Sequence, residues 1–303
     1  MKRSGGVRLS RRFWRGFALP GVLWLLVFFV VPFYAIAAIA MGRLDPLFAT
    51  STPIWNPVQW DLSVLGEVVG DILSGGSFQT VFVRTCIYVG IAVALSLLIG
   101  YPVAYYIARH GGRWKVPLLL LIIAPFWINY LMRMLAWINV LQDDGYVNRI
   151  LMFIGLLDAP RSWLDGQPST VVLGLVYGYI PFLILPLYAA LDRIDQRLIE
   201  AARDLGAGSW RAFTKVTLPL SKQGILAGGV IITLPMFGDY YTPDLLSQSP
   251  RTTMFGNQID FFIHSGTGEA TGAALALVLS AFVSLLMIYY LVSVARSTRE
   301  SSS

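Results

Sequence analysis

Long apolar segments alternate with short polar ones along most of the chain. Five of them are long enough to cross a bilayer as a helix, which needs about 20 residues for a hydrocarbon core about 30 Å thick. A sixth segment is shorter and contains Pro235 and Gly238, which predict a broken or kinked helix. The pattern therefore predicts six membrane spans, over residues 17–41, 80–108, 116–141, 171–191, 224–241 and 272–294.

Composition supports an all-α integral membrane protein. Of 303 residues, 56% are hydrophobic and 13% are charged, and the mean hydropathy of +0.64 is too high for a soluble domain of this size. We predict a single transmembrane domain over residues 1–303. The net charge of +6 fits a topological signal and contact with anionic lipid headgroups, and no aromatic-basic motif indicates nucleic-acid binding.

Lys and Arg residues concentrate in alternate loops. They are frequent before residue 17, at 109–115, at 193–222 and after residue 294, and sparse in the other connections. By the positive-inside rule these four regions are cytoplasmic, so we expect a multi-pass protein with both termini in the cytoplasm.

The chain lacks the common catalytic motifs. It contains no G-x-x-x-x-G-K-[ST] phosphate loop, no H-E-x-x-H and no G-x-S-x-G. Its two histidines, His110 and His264, fall on opposite sides of the predicted membrane. We therefore expect no enzyme activity, no catalytic residue, no metal site and no cofactor in this chain.

A charged segment at 192–222 separates the fourth and fifth spans. Within it, a helix over 195–205 would place Leu198, Ala201, Ala202 and Leu205 on one small apolar face. Such a face on a short polar helix needs a partner to bury it, whereas an ordinary solvated loop does not. We interpret the segment as a docking surface.

Two glycines and a serine predict how this helix ends and the next begins. Gly206 and Gly208 are expected to stop the helix, because glycine adopts a left-handed cap at little cost. Ser209 is a candidate N-cap for a second helix that holds Trp210 and Phe213.

The same segment resembles the EAA loop of ABC-importer permeases. That pattern is Glu-Ala-Ala, three residues, Gly, nine residues, Ile, one residue and Leu-Pro. Val216 replaces the Ile here, and the matching residues are Glu200, Ala201, Ala202, Gly206, Leu218 and Pro219.

Three further stretches resemble polyamine (spermidine/putrescine) ABC permeases. They are PFWINYLMRMLAWINVLQDDGYVN at 125–148, YGYIPFLILPLYAALDRID at 177–195 and GDYYTPDLL at 238–246. Ser247 and Gln248 depart from the Gly-Gly that usually follows in that family.

The resemblance implies a six-helix type I importer permease bundle with a cytoplasmic coupling helix, in the bacterial inner membrane. It also implies a second permease subunit, two ATPase subunits that bind ATP and Mg, and an extracytoplasmic substrate-binding protein. By position, the residues that would couple to the ATPase are Glu200, Ala201, Ala202, Leu205 and Gly206.

Two charged residues within the apolar segments are candidates for a substrate pathway. Arg133 shares a helical face with Asn129 and Trp137 at i, i+4 and i+8. A buried cation is costly, so Arg133 should face a cavity, a helix interface or a partner. The structural alternative is that it pairs with backbone carbonyls or extends its head to the membrane surface.

Asp239 lies beside Tyr240 and Tyr241 at the end of the broken fifth span. A carboxylate next to aromatic rings suits an ammonium group, although a solvated carboxylate at a helix boundary has the same sequence signature. Aromatic residues that could extend the pathway are Trp127, Tyr130, Tyr177 and Tyr179.

These observations favour the permease subunit of an ATP-driven ABC importer for polyamines or similar small cations. The alternative from another class is a proton-coupled secondary transporter that uses Asp239 as its titrating carboxylate. A membrane scaffold without transport activity is a third possibility.

Overall fold

A computed structural model describes residues 11–44, 51–266 and 268–300. The fold divides into two compact units. One consists of segments within Met1–Val69 and Phe261–Leu277, and the other of segments within Gly70–Asp260 and Val278–Ser303. The candidate site residues named above lie in the second unit.

The first unit begins with a long apolar helix that has few neighbours. It comprises α1 (Arg11–Leu25), a π-helical turn (Leu26–Val30) and α2 (Val31–Ala40). Within Gly16–Ala40, only 6% of the most apolar stretch is buried. An apolar surface this exposed requires lipid or another protein to cover it.

A compact polar connection follows this helix. Strands β1 (Arg43–Leu44) and β2 (Ser51–Thr52) pair antiparallel. A 3-10 turn (Pro57–Gln59) then leads to α3 (Ser63–Ser74). Asp61 caps α3 by accepting a hydrogen bond from the backbone N–H of Ser63 at 2.9 Å, and the hydrogen bonds from Ser63 lower the pKa of Asp61.

The remaining elements are mostly helices of very different lengths. In chain order they are α4 (Ser77–His110), α5 (Lys115–Ile123), α6 (Tyr130–Leu141), α7 (Tyr146–Phe153), α8 (Pro168–Asp192), α9 (Gln196–Asp204), α10 (Ser209–Ala212), α11 (Leu218–Leu220), α12 (Lys222–Phe237), α13 (Tyr241–Leu246), α14 (Phe255–His264) and α15 (Glu269–Glu300). Short 3-10 turns occupy Gly112–Trp114, Ala124–Trp127 and Pro250–Thr252, and a π-helical turn occupies Phe213–Thr217.

Helices α4, α8 and α12 form the core of the second unit, and glycines allow their close approach. A Cβ atom at Gly100 of α4 would lie 3.3 Å from the side chain of Ile184 on α8. A Cβ at Gly228 of α12 would lie 2.7 Å from the side chain of Leu183 on α8. Small residues at helix contacts are the usual means of packing helices in lipid. The fully buried core side chains on α8 and α12 include Leu175, Leu183, Leu187, Leu191, Ile232 and Met236.

Four helices in the described part of the chain are long and apolar enough to cross a membrane. They are Gly16–Ala40, Ser77–His110, Pro168–Asp192 and Glu269–Ser293. The number rises to at most six if each of two bent helix pairs counts as one span. The two bent pairs, 112–153 and 209–237, overlap the third and fifth predicted spans in part, and six spans remain a prediction.

The third predicted span, 116–141, bends sharply. Gly112–Trp127 and Tyr130–Phe153 meet at 89°. Ile128 and Asn129 have extended backbones, with ψ of 138° and 140°, so the continuous helix expected there is two helices.

The fifth predicted span, 224–241, contains the break that the sequence predicted. Helix α12 includes Pro235, ends at Phe237 and has Gly238 as its C-cap, and α13 begins only at Tyr241. At its other end, Lys222–Phe237 lies at 60° to Ser209–Leu220. The helix breaks at 128–129 and 238–240 leave backbone groups outside a regular helix, and such backbone can line a cavity.

Candidate functional site

A cavity of about 520 Å³ lies between the two helix breaks. Predicted pathway residues that line it are Asn129, Tyr130, Arg133, Tyr179, Asp239, Tyr240 and Tyr241. Trp127 and Tyr177 lie outside this lining, and Trp127 is 79% exposed, because it ends the 3-10 turn before the chain bends. The cavity therefore joins α6, α8 and the segment after α12.

Asp239 is buried at this cavity, with 6% of its surface exposed. Its Oδ2 accepts hydrogen bonds from the hydroxyls of Thr242 at 2.6 Å, Tyr179 at 3.2 Å and Tyr130 at 3.3 Å. Its Oδ1 accepts the backbone N–H of Thr242 at 3.0 Å. The solvated carboxylate considered from the sequence is thus wrong, since a carboxylate this far from water requires hydrogen-bond donors in its place.

Tyrosine and threonine hydroxyls form a connected network around this carboxylate. The hydroxyls of Tyr130 and Thr242 also hydrogen-bond to each other. Tyr130 can approach because the facing residue is Gly178, where a Cβ atom would lie 3.2 Å from the tyrosine ring. The Tyr240 and Tyr241 rings stack with centroids 4.1 Å apart beside the same cavity.

The sequence analysis did not identify Thr242 as a partner of Asp239, although a local sequence pattern indicates it. An Asp three residues before a Thr at the start of a short helix is typical of capping, in which the carboxylate accepts the backbone N–H at i+3. The tyrosines of α6 and α8 carry no comparable signal, because they reach Asp239 only through tertiary packing.

Arg133 lies both at the cavity and at an interface between helices, which are two of the positions that the sequence left open. It lines the cavity, and its guanidinium carbon lies 4.1 Å from the ring centroid of Phe126, 5.3 Å from that of Tyr130 and 5.9 Å from that of Tyr177. Its Nε and Nη1 atoms are buried with no hydrogen-bond partner among the described residues. Three aromatic faces thus supply the main attraction for this cation.

The other two residues of the Arg133 face have structural roles. Asn129 caps α6 by accepting the backbone N–H of Leu131 at 2.9 Å, although it also borders the cavity. Trp137 packs edge to face on Tyr177 with ring centroids 5.2 Å apart.

The predicted docking helix is present as α9. The Asp195 side chain caps it by accepting the backbone N–H of Arg197 at 3.0 Å. At its other end Gly206 has a φ of +85°. The N–H groups of Gly206 and Ala207 donate to the carbonyls of Arg203 and Ala202, which is the Schellman geometry. The predicted glycine cap is confirmed.

The next helix begins one residue earlier than expected. Ser209 is its first residue, and Gly208 occupies the N-cap position without a side-chain hydrogen bond. The extended backbone of Gly208, with φ of −62° and ψ of 163°, provides the change of direction between α9 and α10.

Helix α9 and the residues that follow it present apolar side chains to the outside of the chain. Leu205 is 90% exposed, Trp210 is 74% exposed and Leu198 is 51% exposed, while Glu200 and Ala201 are also exposed. Ala202 is half-buried, and Ile199 turns inward to anchor the helix. An exposed apolar cluster bordered by charges is typical of a protein-interaction surface.

The bundle of apolar helices, the buried charged cavity at helix breaks and the exposed helical segment together define an α-helical membrane transport subunit. Comparison with known families specifies the class. Residues 96–299 match the model of the binding-protein-dependent transport system inner membrane component family, and the chain belongs to that family.

Known relatives share much of the chain's length. The spermidine/putrescine transport system permease protein PotB of Haemophilus influenzae is 34% identical over 269 residues, which are 88% of this chain and 89% of that protein. PotB of Escherichia coli K12 is 35% identical over 200 residues, 66% of this chain and 72% of the relative. The inner membrane ABC transporter permease protein YdcU of the same organism is 29% identical over 309 residues, covering 97% and 95% of the two chains.

Solved structures support the fold. The chain superimposes on one from a bacterial alginate ABC transporter in complex with an alginate pentasaccharide-bound periplasmic protein, with a TM-score of 0.71, 18% identity and coverage of 92% and 93% of the two chains. A second structure, of a bacterial ABC transporter involved in alginate import, gives a TM-score of 0.66 at 17% identity, with coverage of 95% and 96%. The chain is thus an inner-membrane permease subunit of an ABC importer, with an all-α permease fold.

Proposed function

We propose that this permease subunit imports polyamines or similar small cations as part of an ATP-driven complex. The observation that carries the proposal is the buried carboxylate of Asp239, which lies at an aromatic-lined cavity between two helix breaks. A primary ammonium group is attracted to a carboxylate by charge and to aromatic faces by cation–π interaction. Two relatives, 34% and 35% identical, are named as spermidine/putrescine transport system permease proteins.

Arg133 also lines the cavity, so its positive charge must be considered beside the carboxylate of Asp239. Arg133 and Asp239 both line the cavity, yet these two side chains do not form an ion pair within 4.0 Å. The guanidinium lies on the rings of Phe126, Tyr130 and Tyr177 instead. Arg133 thus leaves the carboxylate to hydroxyl donors, which a substrate ammonium would displace in part.

Energy for transport would come from partner subunits. In the proposed complex this chain pairs with a second permease subunit and two ATPase subunits, which hold ATP and Mg, and receives substrate from an extracytoplasmic binding protein. The exposed face of α9, around Glu200 and Leu205, would dock in the ATPase. Closure of the ATPases would then move α9 and alternate the access of the cavity.

The rival proposal is a carrier in which Asp239 exchanges a proton. Its carboxylate accepts three side-chain hydroxyls and one backbone N–H. A carrier that works alone has no role for the exposed apolar face of α9. This face favours the ATP-driven importer.

Copurification and reconstitution separate the two proposals. The tagged chain, purified from its native membrane, should bring down an ATPase. Proteoliposomes of that complex should take up radiolabelled spermidine only with ATP and a spermidine-loaded binding protein. Uptake by the chain alone, driven by a proton gradient and insensitive to ATP, would establish the carrier. Uptake of an uncharged or anionic solute in place of spermidine would refute the polyamine assignment.

A further inference from the structure

One helix, α4, contacts both the coupling segment (residues 192–222) and the residues that shape the Asp239 cavity. It has 34 residues and is therefore about 51 Å long at 1.5 Å per residue. Its two ends meet different parts of the chain through specific polar and aromatic contacts. A helix of this length is long enough to connect two sites on opposite sides of a bilayer.

The end of α4 near His110 holds the coupling segment at its start. Nη1 of Arg109 donates a hydrogen bond to the carbonyl oxygen of Ile194 at 3.0 Å. Ile194 lies just before Asp195, the cap of α9. Nε and Nη2 of Arg109 are buried without a hydrogen-bond partner among the described residues. Burying these donors costs free energy, and a specific role for Arg109 would explain why they are buried.

The same face of α4 also holds the coupling segment at its far end. Tyr101, Tyr105 and Arg109 follow one another at i, i+4 and i+8, which places them on one side of the helix. The Phe213 ring meets the edges or faces of both tyrosine rings, with centroids 5.8 Å away in each case. The Tyr101 hydroxyl lies 2.8 Å from the hydroxyl of Ser221. The docking helix is thus tied to α4 on both sides.

The opposite end of α4 holds the segment that precedes α14. Arg84 donates to the carbonyls of Pro250 at 3.2 Å and Thr253 at 3.3 Å. The hydroxyl of Thr85, which is fully buried, accepts the backbone N–H of Phe255 at 2.8 Å. These contacts fix the position of the first turn of α14.

That turn supports the break beside the cavity. A Cβ atom at Gly256 would lie 2.8 Å from the carbonyl oxygen of Gly238 and 3.1 Å from the carbonyl carbon of Asp239. The side-chain amide of Asn257 donates to the carbonyl of Tyr240 at 2.7 Å. Movement of this turn would therefore displace the backbone that carries the Asp239 carboxylate.

We propose that α4 transmits movement between the coupling segment and the Asp239 cavity, with Arg109 and Thr85 as the positioning residues at its two ends. The helix is continuous through Pro102, and it packs on α8 through Gly100 next to that proline. On this proposal α4 moves as one body, so a displacement imposed at Arg109 would reach Thr85, and the coupling between the two positions is what the experiment measures. The inference rests on the proposed function, because it assumes docking at α9 and substrate at Asp239.

A double-mutant cycle tests this proposal in the reconstituted complex. The readout is the ratio of ATP hydrolysis with spermidine-loaded binding protein to hydrolysis without it. Arg109→Met keeps the apolar stem but removes the hydrogen bond to Ile194, and Thr85→Val removes the hydroxyl that holds Phe255. We expect each to lower the ratio by about three- to tenfold, the effect of one lost hydrogen bond.

The double variant is decisive. Sites this far apart normally act independently, so their effects multiply to within about twofold. If α4 links them, the double variant falls only as far as the more severe single variant. A ratio equal to the product of the two single effects, or a wild-type ratio for Thr85→Val, would overturn the proposal.

Matched controls separate transmission from folding. Arg113→Met removes a cation from the same connection, and Thr80→Val removes an exposed hydroxyl from the same helix; both should keep the wild-type ratio. Thr85→Ser and Arg109→Lys retain a hydrogen-bonding group and should restore most of the stimulation. If Arg109→Met does not assemble, Tyr101→Phe replaces it in the cycle, because it removes only the hydroxyl that meets Ser221.

Failure of the proposed function gives a different result. If the wild-type complex shows no stimulation by spermidine-loaded binding protein, or Asp239→Asn and Glu200→Lys both behave as wild type, the proposed function is wrong. If those two variants are impaired and the Arg109–Thr85 cycle is multiplicative, only the role of α4 is refuted.

Discussion

At the scale of single residues, Asp239 shows how a carboxylate can be kept in an apolar bundle. Four hydrogen bonds reach its two oxygens, from Tyr130, Tyr179 and the hydroxyl and backbone N–H of Thr242. These donors take the place of water at a carboxylate that borders a cavity lined partly by tyrosines. The three hydroxyls can rotate, whereas the backbone N–H of Thr242 is held by its helix.

Replacing Asp239 by Asn tests whether this charge acts on the substrate. Hydrogen bonds to charged groups contribute about 1.5–3 kcal/mol, so we expect spermidine uptake efficiency to fall by about ten- to hundredfold. Assembly with the ATPase and hydrolysis without substrate should be preserved. Both are measured by copurification and by ATPase assays on the same preparation.

Asp244→Asn is the matched control, because it removes a charge from the following helix while the side chain can still accept the Asn257 hydrogen bond. Asp244 does not line the cavity. Loss of assembly in Asp239→Asn would assign the carboxylate to structure, and unchanged uptake across a spermidine titration would remove it from the pathway.

At the scale of elements, the end of α9 depends on one backbone conformation. Gly206 has a φ of +85°, and a Cβ atom there would meet no atom within 4 Å. The cost of a side chain is therefore conformational rather than steric. Since β-branched residues are strongly disfavoured at positive φ, the structure predicts a graded effect of side-chain shape.

We expect Gly206→Val to reduce spermidine-stimulated ATP hydrolysis more than Gly206→Ala. Gly208 provides the control, because it is also open to solvent but has a φ of −62°, so Gly208→Ala should be close to wild type. The stimulation ratio of the three variants gives the order. Equal and near-native ratios for both Gly206 variants would show that the cap does not contribute to coupling.

At the scale of the whole molecule, the chain is incomplete as a transporter and exposes the surfaces that imply this. Leu205 after α9 and Trp210 on α10 are exposed, and only 6% of the most apolar stretch within Gly16–Ala40 is buried. Lipid can cover the latter, whereas a polar helix with an apolar face requires a protein. The assembly of the complex is therefore tested at α9.

Glu200→Lys should leave the chain in the membrane but lower ATPase copurification or spermidine-stimulated hydrolysis. The reason is that Glu200 is exposed on the docking helix, and a reversed charge at an interface brings like charges together. We expect a reduction of about tenfold. Asp158→Lys, an equal charge reversal at an exposed position outside α9, should have no effect. Wild-type transport and copurification in Glu200→Lys would refute docking at this face.

Local patterns in the sequence were sufficient for several elements, but not for the break at 128–129 or the first residue of α10. Apolar length predicts the membrane-spanning segments, the spacing of Leu198, Ala201 and Leu205 predicts α9, and Gly206 predicts its cap. Pro235 and Gly238 predict the break after α12. Each of these depends on hydropathy, periodicity or backbone preference within a few residues, so the sequence contains the whole cause.

Tertiary structure alone decided how these elements form a site. The 89° bend in 116–141 places Tyr130 and Arg133 opposite Asp239, and α8 brings Tyr179 to the same carboxylate across 60 residues of sequence. Likewise, only packing reveals that Arg109 and Thr85 of α4 touch two distant segments. Such contacts depend on which helix faces meet in three dimensions. Hydropathy specifies that a face is buried but not which residue it is buried against. The sequence by itself therefore determined the apolar segments, α9 with its glycine cap and the break after α12, while helix packing decided the bend at 128–129 and which side chains meet at the cavity.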